Sequence, residues 1–308
     1  MAFTAKDVAK LREMTNVGMM DCKKALSASD GDMDKAVEWL RERGLAAAAK
    51  KSGRVAADGM AYAAVIDGIG VLVEVNSETD FAAKSPLFTG FVEDDAKTIA
   101  AGDPADVDAL LQCTYPDSDK TIEAILPEKI LVIGENVKIR RFTRYAAGVS
   151  VPYVHMGGRI GVLVNLEVEG IEAAAVTELG KDLAMQIAAM NPSFRDKTDV
   201  SADVLEKEKE IQMALAKTEN EKAAKPKPDA VLEKIVAGRI GKYYEENCLM
   251  QQAFVKENKV SVEEHVAQVA KELGGAIKVV SFARYEKGEG IEKQESDLAA
   301  EVAAALGK

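Results

Sequence analysis

Apolar side chains recur at helical spacing through the first 44 residues. Thr4 and Asp32 are suitable caps for the first and third of the helices that this spacing indicates. The pattern predicts three short helices, the third of which ends at Gly44. Residues 46–51 are expected to extend helically to Gly53. A hinge or linker is placed near residues 45–55, because the pattern becomes strand-like beyond Gly53.

From about residue 60 the pattern becomes mixed. Residues 69–75, with the sequence IGVLVEV, predict a mostly buried strand, and residues 138–145, KIRRFTRY, predict another. Between them, Ser85-Pro86 is typical of a helix start, and the apolar residues that follow share one helical face. This arrangement indicates an α+β fold.

Two segments of this region recur later in the chain. IGVLVEV at 69–75 returns as IGVLVNL at 160–166, 91 residues further on. KIRRFTRY at 138–145 returns as KVVSFARY at 278–285, 140 residues further on. Two copies of one strand-strand-helix-strand unit explain both matches if about 49 extra residues lie inside the second copy.

The extra residues have the pattern of a helical hairpin. Residues 201–224 are rich in Glu, Lys and Ala, KPKP at 225–228 interrupts the helix, and a second apolar stripe follows. The predicted stripes are Val204, Ile211 and Leu215 in the first helix, and Leu232, Val236, Ile240 and Tyr243 in the second. The two helices are therefore expected to pack antiparallel and to project from the second copy.

Two more helices are predicted beyond the hairpin. Ser261 and Glu264 form a capping-box pattern at the start of a core-facing helix that Gly274 ends. An Ala-rich amphipathic helix then extends through Leu306 and requires a surface on which to pack.

Composition narrows the class of protein. The 308 residues include 40 Lys and Arg against 51 Asp and Glu, a net charge of −11, which disfavours nucleic acid as a direct partner. Cys22, Cys113 and Cys248 are widely spaced and predict neither disulfides nor a zinc site. No apolar run is long enough to span a membrane and the first residues lack a signal-peptide pattern, so we expect a cytoplasmic protein.

Motifs for catalysis or nucleotide binding are incomplete. The two histidines, His155 and His265, have no nucleophile or second ligand at a recognisable spacing. Residues 44–52, GLAAAAKKS, lack the second glycine of a phosphate-binding loop, and residues 68–73, GIGVLV, precede a strand and lack the third glycine of a dinucleotide fingerprint. We therefore expect neither an enzyme nor a cofactor.

Several longer motifs carry a family resemblance. They are LREMTNVGMMDCKKAL at 11–26, AADG at 56–59, SETDFAAK at 77–84, GEN at 134–136, YVHMGGRIG at 153–161 and GEGIEK at 288–293. These motifs span essentially the whole chain, and in this order the sequence resembles the elongation factor Ts family. It departs from the family pattern at Asn16, where a glycine is common, and at Met156, where a small residue is usual.

The resemblance implies an architecture compatible with the periodicity. Residues 1–54 correspond to a three-helix module similar to a ubiquitin-associated domain. Residues 55–145 and 146–286 correspond to the two halves of a duplicated α+β core, with a coiled-coil hairpin inserted at about 200–247. Residues 287–308 correspond to a C-terminal helical module.

The resemblance also implies a function. Family members are guanine-nucleotide exchange factors that bind elongation factor Tu, in its GDP-bound and nucleotide-free states, and speed GDP release. Thr79, Asp80, Phe81 and Ala82 match the family segment that dislocates Mg²⁺ and disturbs the phosphate loop in the partner. From the residues alone, Thr79 or Asp80 would only cap a helix and Phe81 would be an ordinary core aromatic.

Other residues are expected to bind the partner. Arg12, Met19 and Met20 are the contacts expected from the N-terminal module, where residues 1–54 carry 11 basic and 8 acidic side chains. The alternative for the two methionines is core filling, and one of them is expected to do that. His155 resembles a family histidine implicated in partner contact, with an ordinary surface histidine as its alternative.

Two other functions stay open at this point. One is a helical adaptor that binds another protein through its N-terminal module without promoting exchange. The other is an RNA-associated translation factor, which the negative charge disfavours. The hairpin is open to two interpretations, a second docking arm or a surface for self-association.

Overall fold

The structure, a computed structural model, describes residues 3–15, 17–223 and 225–292. The expected left-handed turn at Asn16 and the predicted C-terminal helix from residue 293 onward lie outside these ranges. Within them the chain is α+β, with helices at its N-terminus and small antiparallel sheets after them.

Three helices form the N-terminal part, α1 (Ala5–Thr15), α2 (Met19–Ala28) and α3 (Met33–Lys51). The Asp32 side chain accepts hydrogen bonds from two backbone amides at the start of α3, as predicted for its cap. Their shared core is small and consists of Val8, Leu11, Val17, Cys22, Ala25, Leu26, Ala36 and Leu40. The likeness of these three helices to a ubiquitin-associated domain stays a prediction.

The predicted end of the third helix is wrong. Helix α3 continues unbroken through Gly44 to Lys51, so residues 46–51 are helical as expected, and the irregular connection is shorter than the predicted linker at 45–55. Gly44 is buried, and a Cβ there would lie only 3.1 Å from the backbone oxygen of Pro127. The glycine therefore serves a close crossing with another helix and does not end its own.

The first sheet contains β1 (Asp58–Ile66), β2 (Ile69–Ser77) and β3 (Lys138–Tyr145) in the order β1-β2-β3, all antiparallel. Four helices separate β2 from β3: α4 (Asp80–Ala83), α5 (Pro86–Gly102), α6 (Val107–Leu111) and α7 (Ile122–Ile133). Helices α5 and α7 cover the sheet through a core that includes Phe88, Phe91 and Ile99. Of these two helices, α7 also packs against α3 of the N-terminal part.

The second sheet contains β4 (Val149–His155), β5 (Ile160–Glu169) and β8 (Ala276–Glu286) in the order β4-β5-β8. The elements between β5 and β8 are α8 (Thr177–Met190), α9 (Ala202–Glu221), α10 (Asp229–Asn247), the short strands β6 (Ala253–Phe254) and β7 (Glu257–Ser261), and α11 (Val262–Leu273). Ser261 and Glu264 make the predicted capping box, and Gly274 ends α11 in a left-handed conformation.

The repeated segments occupy equivalent places in the two sheets. Glu74 of β2 pairs with Arg141 of β3, and Asn165 of β5 pairs with Ser281 of β8. The register shifts immediately after Glu74 and immediately after Asn165, so even the β-bulge recurs. The sheets pack face to face. A Cβ on Gly161 would lie 2.6 Å from the side chain of Leu72 and 3.0 Å from the backbone oxygen of Ala61, so the glycine allows this close approach.

The hairpin lies where the repeat predicts it, but the residues of its first helix that pack on the second are not the predicted ones. Helices α9 and α10 pack on each other and are separated by the KPKP segment. On α10 the predicted Leu232, Val236 and Ile240 are buried. On α9 the predicted stripe is exposed, and Ala216 with the partly buried Leu205 and Met213 faces α10 instead. Whether the hairpin is a coiled coil, and where the domains end, stay predictions.

Candidate functional site

The predicted site lies at the turn from β2 into α4. Thr79 is the cap of α4, and its Oγ1 accepts a hydrogen bond from the Ala82 amide. Phe81, in the first turn of this helix, is 84% exposed, the highest value among the large apolar side chains that the structure describes. The interpretation of Phe81 as a core aromatic is therefore wrong. We call residues Thr79–Ala82 the tip.

Asp80 is an ionised group beside two lysines. Lys84, one helical turn later, donates a hydrogen bond of 2.6 Å to Asp80 Oδ2. This bond, together with the positive charges of Lys84 and Lys287, lowers the pKa of Asp80 below its ordinary value. Asp80 therefore carries its negative charge at neutral pH next to the exposed ring of Phe81.

Glu135 holds the backbone of the tip from the other side. Its Oε2 accepts hydrogen bonds from the amides of Glu78 (3.0 Å) and Thr79 (2.9 Å). Its Oε1 accepts a third hydrogen bond, of 2.6 Å, from the Thr79 hydroxyl. The residue after it completes a reciprocal pair, because the Asn136 amide donates to Glu78 Oε1 at 2.7 Å. The orientation of the tip is thus fixed by the Glu135 carboxylate, which lies more than fifty positions away in the sequence.

The predicted N-terminal contacts are on the surface. Arg12 of α1 and both Met19 and Met20 at the start of α2 are exposed. The expectation that one of the two methionines fills the core is wrong. These residues lie on helices that pack on α3, whereas the tip packs on β1, β2 and α5.

His155 ends β4 beside a tight turn. Its Nδ1 lies 2.9 Å from the Tyr153 hydroxyl, and the two rings stack with centroids 5.9 Å apart. Met156 follows in a left-handed conformation with φ of 49°, and its side chain is exposed. The departure from a small residue at this position therefore places a large apolar group on the surface next to His155, in a conformation that costs a residue with a Cβ some strain.

Lys287 joins the His155 turn to β1, one of the elements on which the tip packs. Its backbone amide donates to Arg159 O at 3.0 Å, at the end of the His155 turn. Its ammonium group forms an ion pair with Asp58 of β1 and acts on the pKa of Asp80. The structure therefore brings the tip and the His155 turn to the same end of the two sheets.

Comparison with known proteins decides the family. The family model described as elongation factor Ts matches residues 78–289. Elongation factor Ts of Trichlorobacter lovleyi is 46% identical and the alignment covers 100% of this chain and 99% of that protein. Elongation factor Ts of one Clostridium botulinum strain is 48% identical with 99% of each chain covered, and that of Clostridium kluyveri is 47% identical with 97% of each covered. This chain belongs to the elongation factor Ts family.

Membership of the elongation factor Ts family confirms the prediction of a factor that acts in translation elongation. Across the described ranges, 3–15, 17–223 and 225–292, no cluster of three or more His, Cys, Asp or Glu residues has the geometry to hold a metal ion. In the same part of the chain, no helix is both long and apolar enough to cross a membrane.

Sequence reasoning missed the role of Glu135. The motif GEN at 134–136 contributed to the resemblance with the elongation factor Ts family, but nothing in its composition indicated a contact with the tip. The available signal was the position of Gly134, which ends α7 with φ of 86° and turns the chain toward Thr79. The partner of that turn is set by long-range packing, which a local pattern does not contain.

Proposed function

We propose that this chain binds GDP-bound elongation factor Tu and speeds GDP release by inserting its tip beside the magnesium and phosphate sites of that protein. The observation that carries this proposal is the exposure of Phe81 on a turn held by Thr79 and Glu135. An aromatic ring kept in water on a well-fixed turn stabilises a complex when it becomes buried.

The proposed mechanism is displacement. A GTPase holds GDP through Mg²⁺ that bridges phosphate and protein oxygens, and through backbone amides around the phosphates. Phe81 inserts between elements of the partner, and the charged Asp80 adds a polar contact that fixes the insertion. Because Mg²⁺ requires near-octahedral ligands, a small shift of those ligands expels it. GDP then leaves, and GTP can load.

Two other contacts complete the proposed complex. Arg12, Met19 and Met20 bind the nucleotide-binding domain of elongation factor Tu, and the exposed methionines provide adaptable apolar contact. His155 and the neighbouring Met156 bind at the end of the molecule that also presents the tip. The factor works in the cytoplasm, has no chemical step of its own and needs neither a cofactor nor nucleic acid.

The coupling between factor and nucleotide is negative and reciprocal. If the bound tip lowers the affinity of elongation factor Tu for GDP, bound nucleotide lowers the affinity for the factor by the same ratio. Exchange is therefore accelerated in both directions, while the equilibrium between free nucleotide and free elongation factor Tu is unchanged. A nucleotide-free complex with the factor is the expected intermediate.

Release of fluorescent GDP from elongation factor Tu tests the proposal. The chain should accelerate release, and Phe81→Ala should lose about 30-fold of that acceleration, as expected for a buried aromatic anchor worth about 2 kcal/mol. Val255→Ala, which trims another exposed apolar side chain, is the control. Raising the Mg²⁺ concentration should slow the factor-dependent release. Unchanged release by the wild-type chain would favour the adaptor function, and equal activity of the Phe81 variant would exclude the displacement role.

A further inference from the structure

Glu135 follows directly after helix α7, where the chain meets the tip. Gly134 ends α7 in the left-handed conformation that favours glycine, and the chain turns immediately into Glu135. The next residue, Asn136, is buried and donates its side-chain amide to Arg54 O at 2.7 Å. The turn is therefore tied both to β2 and to the connection that follows α3.

The backbone of the tip begins where the sheet pairing stops. The pairings of β2 end at Asn76 with Lys138 and at Ser77 with Asp58. The next two amides, of Glu78 and Thr79, donate to the Glu135 carboxylate. A carboxylate that accepts backbone N–H groups makes stronger hydrogen bonds than a neutral acceptor does, so this pairing fixes the direction in which the chain leaves the sheet.

The Thr79 hydroxyl carries the constraint into α4. It donates to Glu135 Oε1 at 2.6 Å while its oxygen accepts from the Ala82 amide at 3.3 Å. Glu135, Thr79 and Ala82 thus form one chain of hydrogen bonds, and Phe81 lies within the turn that this chain closes. A substitution of Glu135 should therefore shift Phe81 without removing any atom of the tip.

Helix α7 also contacts the N-terminal helices. Leu131 and Val132 of α7 pack against the core of α1–α3, and Gly44 of α3 crosses Pro127 of α7 closely. The two helices that carry the predicted partner-binding residues, α1 and α2, are therefore joined through their shared core and α7 to Glu135, and from there to the tip.

We infer that Glu135 is a positioning residue, which orients Phe81 for insertion and couples it to the partner-binding N-terminal helices through α7. This inference rests on the proposed function, because it assigns Glu135 to the same displacement step. Glu135 acts through Thr79 and does not itself replace a ligand of the partner's metal.

A positioning role predicts a specific split in the kinetics. Glu135→Ala should lower the maximum rate of GDP release at saturating factor by about tenfold, since misplacing a positioned group by 1 Å costs up to about 100-fold. The factor concentration that gives half of the maximum rate should change less than threefold, because the N-terminal contacts stay intact. The maximum rate of Glu135→Gln should lie between those of the wild type and Glu135→Ala. Its amide oxygen still accepts hydrogen bonds from the backbone amides, while its NH₂ group faces the Thr79 hydroxyl. Glu169→Ala, at the opposite end of β5 from the His155 turn, is the control.

Hydrogen exchange of the free chain separates this inference from the proposed function. In Glu135→Ala, the amides of Glu78, Thr79 and Ala82 should exchange on the order of tenfold faster, while amides in β1 and β3 keep their protection. If the wild-type chain fails to release GDP, the proposed function is wrong whatever the exchange pattern. If the wild-type and Phe81 variants behave as expected but Glu135→Ala exchanges and releases GDP like the wild type, the positioning role is wrong. Loss of protection throughout β1 and β3 would also overturn it, because Glu135 would then be supporting the whole sheet.

Discussion

Asp95 is a buried carboxylate of α5. It is fully buried, and neither of its oxygens has a hydrogen-bond partner among the described residues. Burial, with a smaller effect from the charge of Asp94, raises its pKa well above the ordinary value, and Lys129 opposes the shift. Asp95 is therefore protonated in the folded chain at pH values where it is ionised in the unfolded chain.

This difference gives stability a defined pH dependence. Since the folded state binds the extra proton, the free energy of unfolding should fall as pH rises from about 4, the unfolded pKa, through the raised folded pKa. Asp95→Asn should remove this dependence and raise the free energy of unfolding at pH 7 by about 1–3 kcal/mol, because the amide is neutral at every pH. Denaturant titrations at pH 5, 7 and 8 measure it. The control is the exposed Asp119→Asn, and a destabilised Asp95 variant would contradict the argument.

Exposure of single residues was the least predictable property. Phe81, Met19 and Met20 each have a structural and a functional interpretation in the sequence, and the apolar character of a side chain favours the buried one. All three are exposed. Only the family resemblance pointed to that outcome for Phe81, since exposure depends on what the rest of the fold places nearby.

At the scale of elements, α9 shows how periodicity misleads when a helix has two apolar stripes. Val204, Ile211 and Leu215 repeat at helical spacing, yet they are exposed to 41%, 46% and 48%. The stripe that faces α10 consists of Leu205, Met213 and Ala216, and the small alanine and the flexible methionine give a weaker sequence signal. The boundaries of α9 and α10 were predictable from KPKP and the charge pattern, but the packed face depends on the partner helix.

The packed face of the hairpin predicts an asymmetry between two substitutions. Leu232→Ala removes a buried side chain of α10 and should lower the stability of the hairpin by about 2–4 kcal/mol. Ile211→Ala removes an exposed one and should change stability by less than about 0.5 kcal/mol. Helicity measured during denaturation, together with proteolysis in the KPKP segment, reports both. Comparable losses in the two variants would place Ile211 in the core after all.

Gly44 predicts a second asymmetry, on α3. Gly44→Leu would push a side chain against the backbone of Pro127, so it should destabilise the packing of α3 on α7 by about 1–3 kcal/mol. Ala46→Leu introduces the same leucine side chain at an exposed position of the same helix and serves as the control. Denaturant unfolding measures the difference, and a Gly44 variant as stable as the control would mean that the two helices separate easily.

For the whole molecule, the repeat in the sequence was the most productive observation. The two spacings, 91 and 140 residues, placed the hairpin inside the second copy, and the recurring β-bulge shows that the copies align residue by residue. The repeat did not indicate how the two sheets meet. That contact depends on pairs such as Leu72 with Gly161, whose partners lie far apart in sequence.

A buried glutamate joins the turn after β8 to the first sheet. Glu74 of β2 is fully buried and accepts hydrogen bonds from Arg140 at 3.0 Å and Arg141 at 2.6 Å. It also accepts one from the backbone amide of Gly288 at 2.8 Å. Burial acts to raise the pKa of Glu74, but the bonds from Gly288, Asn76 and the two arginines outweigh it and lower the pKa.

Glu74→Gln should therefore loosen the attachment of the turn at 286–290. The neutral amide leaves two partly buried arginines without their shared anion, so the free energy of unfolding at pH 7 should fall by about 1–3 kcal/mol. Because the folded pKa is lowered, the advantage of the wild type is present above the unfolded pKa of about 4.5 and disappears as pH falls through the folded value. Hydrogen exchange at Gly288 should quicken in the variant, and Glu167→Gln, which neutralises an exposed glutamate of β5, should leave it unchanged. A difference in stability that persists at pH 2 would mean that shape and not charge holds the turn.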